Sequence, residues 1–470
     1  MIARHTLTYL GSRGLAAALN MASVAVFTRL APAETFGAYL LMVSWSLLLY
    51  SATSQWPKFA FFALYDEARA AVQTATVLRL LGIMVLLSGL VCAAACVLGL
   101  VSVPVAAALL ASGAGMTLFE AAAEIGRTRL AVHAVAASVV LRAVLVLGFG
   151  SASLVVSGHP LDLLLATALA NALAALPALV VIAPLLRGRG SLMEMRRILA
   201  YGWPLILSFS AAALAQTIDR LLVGGILGVR ELGAYGAFSD FLRQSFVVFG
   251  EAIALALVSI AKRDARAGGM AAARPVLADA VRLMAMVAAF GAVFVLTFEG
   301  LIVSTLLGSG YRDTALSVAP LLLVASILVM FRAYYFGQVI YFSPTSRLEA
   351  VASVATLCTV ALLSVLLIPR HGIAGAAFAA MLGQGVACLV LVLGADVAVR
   401  LPIPWGDLGV IALGALACRL VILSIDTIAL GGTGIALDLT LIALCAGGVG
   451  WHLNLIGLAD LARRRLRRAS

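Results

Sequence analysis

Pro32-Ala33-Glu34-Thr35-Phe36-Gly37-Ala38-Tyr39 and Val229-Arg230-Glu231-Leu232-Gly233-Ala234-Tyr235 carry the same short theme. Each sets a glutamate just ahead of an apolar residue and Gly-Ala-Tyr. Each stands in a short turn between two long apolar runs, 196 residues apart from Gly37 to Gly233. Basic stretches recur at a similar offset, at 57–77 and 262–281. One short match arises easily by chance. Two features at a similar offset point to a duplicated unit.

Working outward from the two turns, apolar runs of spanning length lie near 7–30, 36–56, 77–100, 104–125, 132–156, 162–186 and 202–227. They continue near 232–261, 281–307, 315–341, 348–368, 373–397, 406–428 and 434–457. A helical span needs about 20 apolar residues. These runs are long and continuous, not alternating ten-residue segments, so they predict helices and not barrel strands. Six spans bring the chain back to its starting side, so the duplicated halves are parallel repeats about an axis along the membrane normal. The expected fold is an all-α polytopic membrane protein of about fourteen transmembrane helices. Its parts are a first six-helix lobe (1–186), a linker helix (187–201), a second six-helix lobe (202–397), and two appended helices with a basic tail (398–470).

Composition agrees. The 470 residues are 63% hydrophobic and 11% charged, with a mean hydropathy of +1.12. A soluble domain is nearer half apolar and a quarter charged. A soluble enzyme, a secreted disulfide scaffold and a disordered chain are excluded. All six cysteines fall in apolar runs and read as buried thiols. Cys92 and Cys96 have no histidine or carboxylate beside them, so neither a metal nor a disulfide is expected.

The net charge is +11. Twenty-one basic residues fall in loops or tails on the side of the N-terminus, and four (Arg29, Arg230, Arg312, Arg370) on the other. Under the positive-inside rule both termini are cytoplasmic. The excess positive charge then faces membrane lipid, and no nucleic-acid partner is expected. The tail arginines Arg463, Arg464, Arg465, Arg467 and Arg468 anchor the topology beside anionic headgroups. Between the halves, Ser191-Leu192-Met193-Glu194 has the spacing of a capping box. It predicts a short helix on the inner membrane surface, with Leu192, Met195 and Leu199 on one face. Gly202-Trp203-Pro204 opens the seventh span.

The only lysines are Lys58 and Lys262, and neither stands in a Gly-Lys-Ser/Thr loop. A nucleotide-driven pump is therefore excluded. No His-Glu-x-x-His or Gly-x-Ser-x-Gly motif occurs. No catalytic residue, metal or cofactor is expected, and the chain is read as a non-enzyme. The outer loops run from a few to about a dozen residues, which weakens a membrane glycosyltransferase or polymerase.

Charges inside a bilayer are costly and face a cavity or a partner. Arg13 and Asn20 share a face of the first span, Arg142 lies in the fifth, Arg243 in the eighth and Arg332 in the tenth. Arginine's planar fork suits phosphate oxygens. These five residues are the candidate anion-binding set. Each arginine also has a structural reading: Arg243 can meet Asp240 at i,i+3. Asp219 and Arg220 read as a structural ion pair near Glu231. Arg282 and Arg419 read as helix-end or inter-helix contacts. Glu251 and Glu299 are candidate proton- or sodium-coupling sites, since desolvation raises a carboxyl pKa; pairing with arginine is the alternative.

Several runs carry a resemblance. They are Thr28-Arg29-Leu30-Ala31 leading into Pro32 to Tyr39, Tyr201-Gly202-Trp203-Pro204-Leu205, Ile218-Asp219-Arg220-Leu221-Leu222, Gly228 to Tyr235, and Gly372-Ile373-Ala374-Gly375-Ala376-Ala377. In this order and spacing, over spans 1–12, the chain resembles the polysaccharide transporter family. Its members are the O-antigen and exopolysaccharide flippases of the multidrug/oligosaccharidyl-lipid/polysaccharide exporter superfamily. The resemblance implies two lobes around a central cavity that opens alternately to each side of the bacterial inner membrane. It implies an oligosaccharide on undecaprenyl diphosphate as substrate, moved to the outer leaflet for envelope or exported polysaccharide synthesis. The polymerase and glycosyltransferases of the same pathway are the implied partners. A lipid II-type flippase, favoured by fourteen spans, and a cation-coupled drug or small-molecule antiporter using Glu251 or Glu299 remain alternatives. The resemblance assigns no residue a role.

Overall fold

The computed structural model describes residues 2–343, 347–397, 399–425 and 432–455. The five tail arginines lie outside them. Every regular element among the described residues is helical, as expected of apolar segments whose backbone groups must be satisfied without water. In chain order the α-helices are α1 (Ile2–Leu30), α2 (Ala33–Tyr50), α3 (Trp56–Leu64), α4 (Ala70–Val97), α5 (Val103–Thr128), α6 (Val132–Val156), α7 (Pro160–Ala174) and α8 (Leu176–Ile182). They continue with α9 (Leu192–Ile226), α10 (Val229–Ile253), α11 (Ser259–Leu306), α12 (Arg312–Tyr334), α13 (Arg347–Leu393), α14 (Trp405–Ser424) and α15 (Gly432–His452).

Eleven stretches among the described residues are long and apolar enough to cross a membrane, against the fourteen expected. Two of them, Val229–Leu306 and Arg347–Leu393, far exceed one bilayer thickness, and glycines break both. Gly269 takes φ +73° and Gly372 takes φ +58°. Glycine adopts this left-handed conformation at no steric cost.

The chain forms two compact units. The first comprises Met1–Phe238, Leu306–Ala315 and Leu357–Ala379. Within it α1 packs along α6, α5 lies against α4 and α7, and α9 runs beside α2 and α3. Trp56, Phe61, Leu80, Ile125, Ile182 and Ile198 form a buried cluster. Small residues bring backbones close, as is usual between helices in lipid: a Cβ at Gly115 would stand 2.6 Å from the Ala168 carbonyl oxygen.

The repeated Gly-Ala-Tyr theme makes the tightest such approach. Gly37 of α2 and Gly233 of α10 face each other backbone to backbone. A Cβ at Gly37 would fall on the Val229 carbonyl oxygen and stand 2.8 Å from the Gly233 nitrogen; one at Gly233 would fall on the Ala33 carbonyl oxygen. The Tyr311 hydroxyl donates to the Ala31 carbonyl oxygen at 2.7 Å, and Thr28 Oγ1 donates to the Leu306 carbonyl oxygen at 3.2 Å. The turns that the charge count places outside are thus knitted together. Beside them lies a cavity of about 560 Å³ whose lining includes Arg29, Glu34, Arg230 and Tyr311.

The linker differs from expectation. Ser191 sits at the N-cap of α9, but its side chain makes no capping hydrogen bond. Glu194 turns away from the helix start and is buried at 3% exposure. There it accepts a 2.7 Å hydrogen bond from Gln73 Nε2, and Arg69 and Arg197 stand 3.6 and 3.7 Å away. A buried carboxylate held by one hydrogen-bond donor and two nearby cations outcompetes the local cap, because an unpaired buried charge is far costlier. The helix also does not stop at the linker; it continues through Trp203 into the apolar run that follows. Nearby, the Arg69 guanidinium and the Ala68 N–H hold the exposed Asp66 carboxyl below its ordinary pKa. With the folded value depressed, that contact is complete at neutral pH and is lost only as pH falls through the lowered value. Glu194→Ala should leave one of the two Gln73 Nε2 hydrogens without an acceptor, the other staying on the Leu64 carbonyl, and lower stability by about 1–3 kcal/mol, read as a lower thermal midpoint. An unchanged midpoint would remove the latch from the fold's supports.

The second unit comprises Ser239–Thr305, Leu316–Thr356 and Ala380–Ser470. Phe290 and Val293 of α11 pack with Ala415, Cys418 and Ile422 of α14, and Leu441 and Val449 of α15 join them. Arg282 bridges to Asp407 at 2.6 Å and to Asp279 at 2.8 Å. Arg419 donates to Thr297 Oγ1 at 2.9 Å. Both arginines are therefore inter-helix contacts, as the sequence suggests. All six cysteines are free thiols.

Candidate functional site

The strongest concentration of chemistry in the first unit forms where α2 loses its regular pitch. Ser51–Gln55 is a wide π-turn, an irregularity common at functional sites. It joins α2 to α3 and leaves three small hydroxyls together. Ser88 Oγ donates to Thr53 Oγ1 at 3.0 Å, and Thr53 and Ser54 hydroxyls are 3.3 Å apart.

Lys58 follows within a turn. The sequence reading places it in an inner loop; the structure places it in α3 at 8% exposure. Its ammonium donates to Glu120 Oε2 of α5 at 3.0 Å and lies 5.2 Å from the centroid of the Tyr50 ring, within cation–π range. The Tyr50 hydroxyl is buried with no hydrogen-bond partner among the described residues.

Arg142, midway along α6, stacks its guanidinium 5.0 Å from the centroid of the Phe119 ring, next to Glu120 in sequence. Among the described residues the Arg142 side chain makes neither an ion pair nor a hydrogen bond; the nearby carboxylate Glu120 is bonded to Lys58 and Glu124 to Arg127. The site therefore holds two cations, one directly neutralised, beside an unsatisfied phenol. Such a site can accept anionic oxygens.

The other predicted residues are more scattered. Arg13 and Asn20 are both exposed on α1. Arg243 bonds Asp240 at 3.1 Å, the i,i+3 alternative. In the second unit Arg332 reaches Ser353 at 3.0 Å, Gln384 at 3.4 Å and Glu349 at 3.5 Å. The sequence offers Arg332 no acid at helical spacing; the structure supplies one from α13. Asp219 accepts from the Tyr235 hydroxyl at 2.9 Å, and Arg220 is buried. Glu251 and Glu299 are half-buried. No group of three or more His, Cys, Asp and Glu able to hold a metal ion occurs among the described residues.

Lys58, Glu120 and Tyr50 are absent from the sequence-derived set. One signal was available for Lys58. The apolar run does not stop at Trp56 but continues through Phe59-Ala60-Phe61-Phe62-Ala63-Leu64.

A family profile described as polysaccharide biosynthesis protein matches residues 63–316. No curated protein matches the sequence. Among solved structures the fold is similar to that of the lipid II flippase MurJ in an inward closed conformation. The TM-score is 0.77 at 12% identity, over 98% of this chain and 100% of that one. It is similar also to a multidrug resistance MATE family transporter of the MOP superfamily. In the outward-facing conformation the TM-score is 0.58 at 14% identity, over 84% of this chain and 95% of that one. In the inward-facing conformation it is 0.57 at 14% identity, over 84% and 98%.

Proposed function

This chain belongs to the polysaccharide biosynthesis protein family, and from that premise we propose that it is an alternating-access flippase. Its substrate is an oligosaccharide on undecaprenyl diphosphate, carried from the inner to the outer leaflet of the bacterial inner membrane. A diphosphate-sugar headgroup does not cross hydrocarbon unaided, because burying charge without partners costs many kcal/mol. Cations held inside apolar helices lower that cost while the polyprenyl tail stays in lipid. The observation that carries the reading is Arg142: a guanidinium in the middle of an apolar helix whose side chain has no ion pair or hydrogen bond among the described residues. An intramembrane charge in that condition marks a path or a ligand. Lys58 lies in the same site, while Arg13, Asn20, Arg243 and Arg332 extend the proposed anion-binding set. Both termini are cytoplasmic in this reading, and the lobes are 1–186 and 202–397.

The diphosphate moves its negative charge outward, with an interior-negative potential. That potential supplies about 2.3 kcal/mol per charge per 100 mV, so Glu251 or Glu299 coupling to an ion is an addition and not a requirement. A lipid II-type substrate is the second reading, favoured by a fold likeness that spans 98% of the chain, appended helices included.

The test is flipping of lipid-linked oligosaccharide in proteoliposomes, with sidedness read by an impermeant reagent. The wild type should flip, and faster with the lumen poised to draw anions. Arg142→Ala should slow flipping about ten- to hundredfold, the loss of one charged hydrogen bond. Arg142→Lys should recover part, keeping charge without the fork. Wild-type rates in Arg142→Ala would take Arg142 out of the site; no flipping by the wild type would end the reading.

A further inference from the structure

The basic stretch at 262–281 recurs from the first half but plays no part in the site above. Its first residues have the same setting as Lys58. A second π-turn, Ala254–Val258, precedes Lys262 as Ser51–Gln55 precedes Lys58. Each ammonium also lies over a tyrosine ring, Tyr50 for Lys58 and Tyr341 for Lys262. There the likeness ends. Lys58 is neutralised by Glu120, whereas among the described residues neither Lys262 nor Arg266 has an ion pair. Arg263 does, with Asp264 at 3.2 Å.

Lys262 and Arg266 are four residues apart on α11 and so share a face. Two cavities, of about 460 and 480 Å³, lie against that face, and both residues line both cavities. Each falls in the size range of small-ligand sites. The second is completed by Met270, Tyr341, Phe342 and Val399, which gives it aromatic and aliphatic walls. Tyr341 is 57% exposed, so one part of its ring remains open beyond the lysine. The helix breaks at Gly268 and Gly269 just beyond.

Two unpaired cations one turn apart match the oxygens of a phosphate, and an open phenol ring beside them matches an apolar or hydroxylated ligand face. We infer that this double cavity binds the phosphate-bearing headgroup of a lipid, with the phosphate held between Lys262 and Arg266 and the rest of the headgroup against Tyr341. The chemistry is shared by anionic phospholipids of the surrounding leaflet and by polyprenyl diphosphates. Neither source depends on the transport reading, and binding is measurable without transport.

Full-length protein in detergent would be titrated with dioctanoyl phosphatidylglycerol, dioctanoyl phosphatidylcholine and undecaprenyl diphosphate, and bound lipid counted by native mass spectrometry. Lys262→Gln/Arg266→Gln should weaken binding of one anionic probe by about tenfold or more. Tyr341→Ala should weaken it less. Loss confined to phosphatidylglycerol assigns the site to bulk lipid; loss confined to undecaprenyl diphosphate assigns it to the polyprenyl carrier. Equal binding of both anionic probes by wild type and double variant would overturn the inference. So would phosphatidylcholine binding as tightly as phosphatidylglycerol with undecaprenyl diphosphate indifferent to the variant. Should the double variant fold poorly, Lys262→Arg/Arg266→Lys keeps both charges. It must retain binding, and binding to the wild type must fall as salt is raised.

Discussion

Gly37→Val is expected to lower the stability of the folded protein by about 3 kcal/mol or more, at the upper end of overpacking costs. The added carbons have nowhere to go. The neighbour they meet is the backbone of Val229 and Gly233, which cannot turn aside as a flexible side chain would. Gly233→Val should give a similar loss, since the same approach is spoiled from the other side. The double variant should cost less than the sum, because the two residues share one contact. Gly82→Ala is the control: a Cβ there meets nothing within 4 Å, and alanine suits a helix better than glycine. Thermal midpoints of purified protein decide the matter. A Gly37→Val midpoint equal to wild type would mean that the two helices are not held in contact at this seam. In the transport reading the same variant also leaves the predicted outer turns parted, so a cysteine at Ala33 should react faster with an impermeant thiol reagent.

The second large effect is at Lys58 and Glu120. Removing Glu120 leaves Lys58 as an uncompensated buried charge, which costs about 3–5 kcal/mol. Glu120→Gln should show a loss of that order in thermal or denaturant unfolding; Lys58→Met should cost less, because Glu120 is 28% exposed and still faces Arg142 and Arg127. The combined Lys58→Met/Glu120→Gln variant should regain most of the loss, because no charge then remains to be neutralised. Flipping should not recover with stability, since the cation that faces Arg142's site is gone. Additive single-variant losses in the double would show that the pair is not coupled and would remove it from the core of the site.

The apolar runs carried the helical class in plain view and the repeated turn pointed to a duplicated unit, because both depend on local composition and on an offset between two short motifs; that Gly37 and Gly233 meet is visible only in the fold. Arg282 and Arg419 were legible as contacts because a cation at a helix end has few other fates. The partners were not legible. Glu349 meets Arg332 from 17 residues on, and Glu120 meets Lys58 from 62 residues on. Helical spacing predicts only neighbours on one helix. Ser191 and Glu194 had the spacing of a cap, yet Gln73, 121 residues away, took the carboxylate. The π-turn at Ser51–Gln55 has no composition to mark it, and Pro57-Lys58 interrupts the apolar run in the sequence although it resumes at Phe59, so Lys58 reads as a loop residue.

The two π-turns have a consequence for azimuth. An α-helix advances about 100° per residue, and a π-turn fits one residue more than the regular pitch allows. Everything behind it is therefore dialled round by about that angle relative to everything in front. Such a defect is not pinned to one place. As it passes along a helix, each residue it crosses swings by the same angle while both ends keep their positions. Lys58 stands three residues behind one π-turn and Lys262 four behind the other. The Lys262 ammonium, without an ion pair among the described residues, can thus be re-aimed by a dislocation travelling a turn or so along its own helix, with no rigid helix having to move, whereas Lys58 is tethered by Glu120.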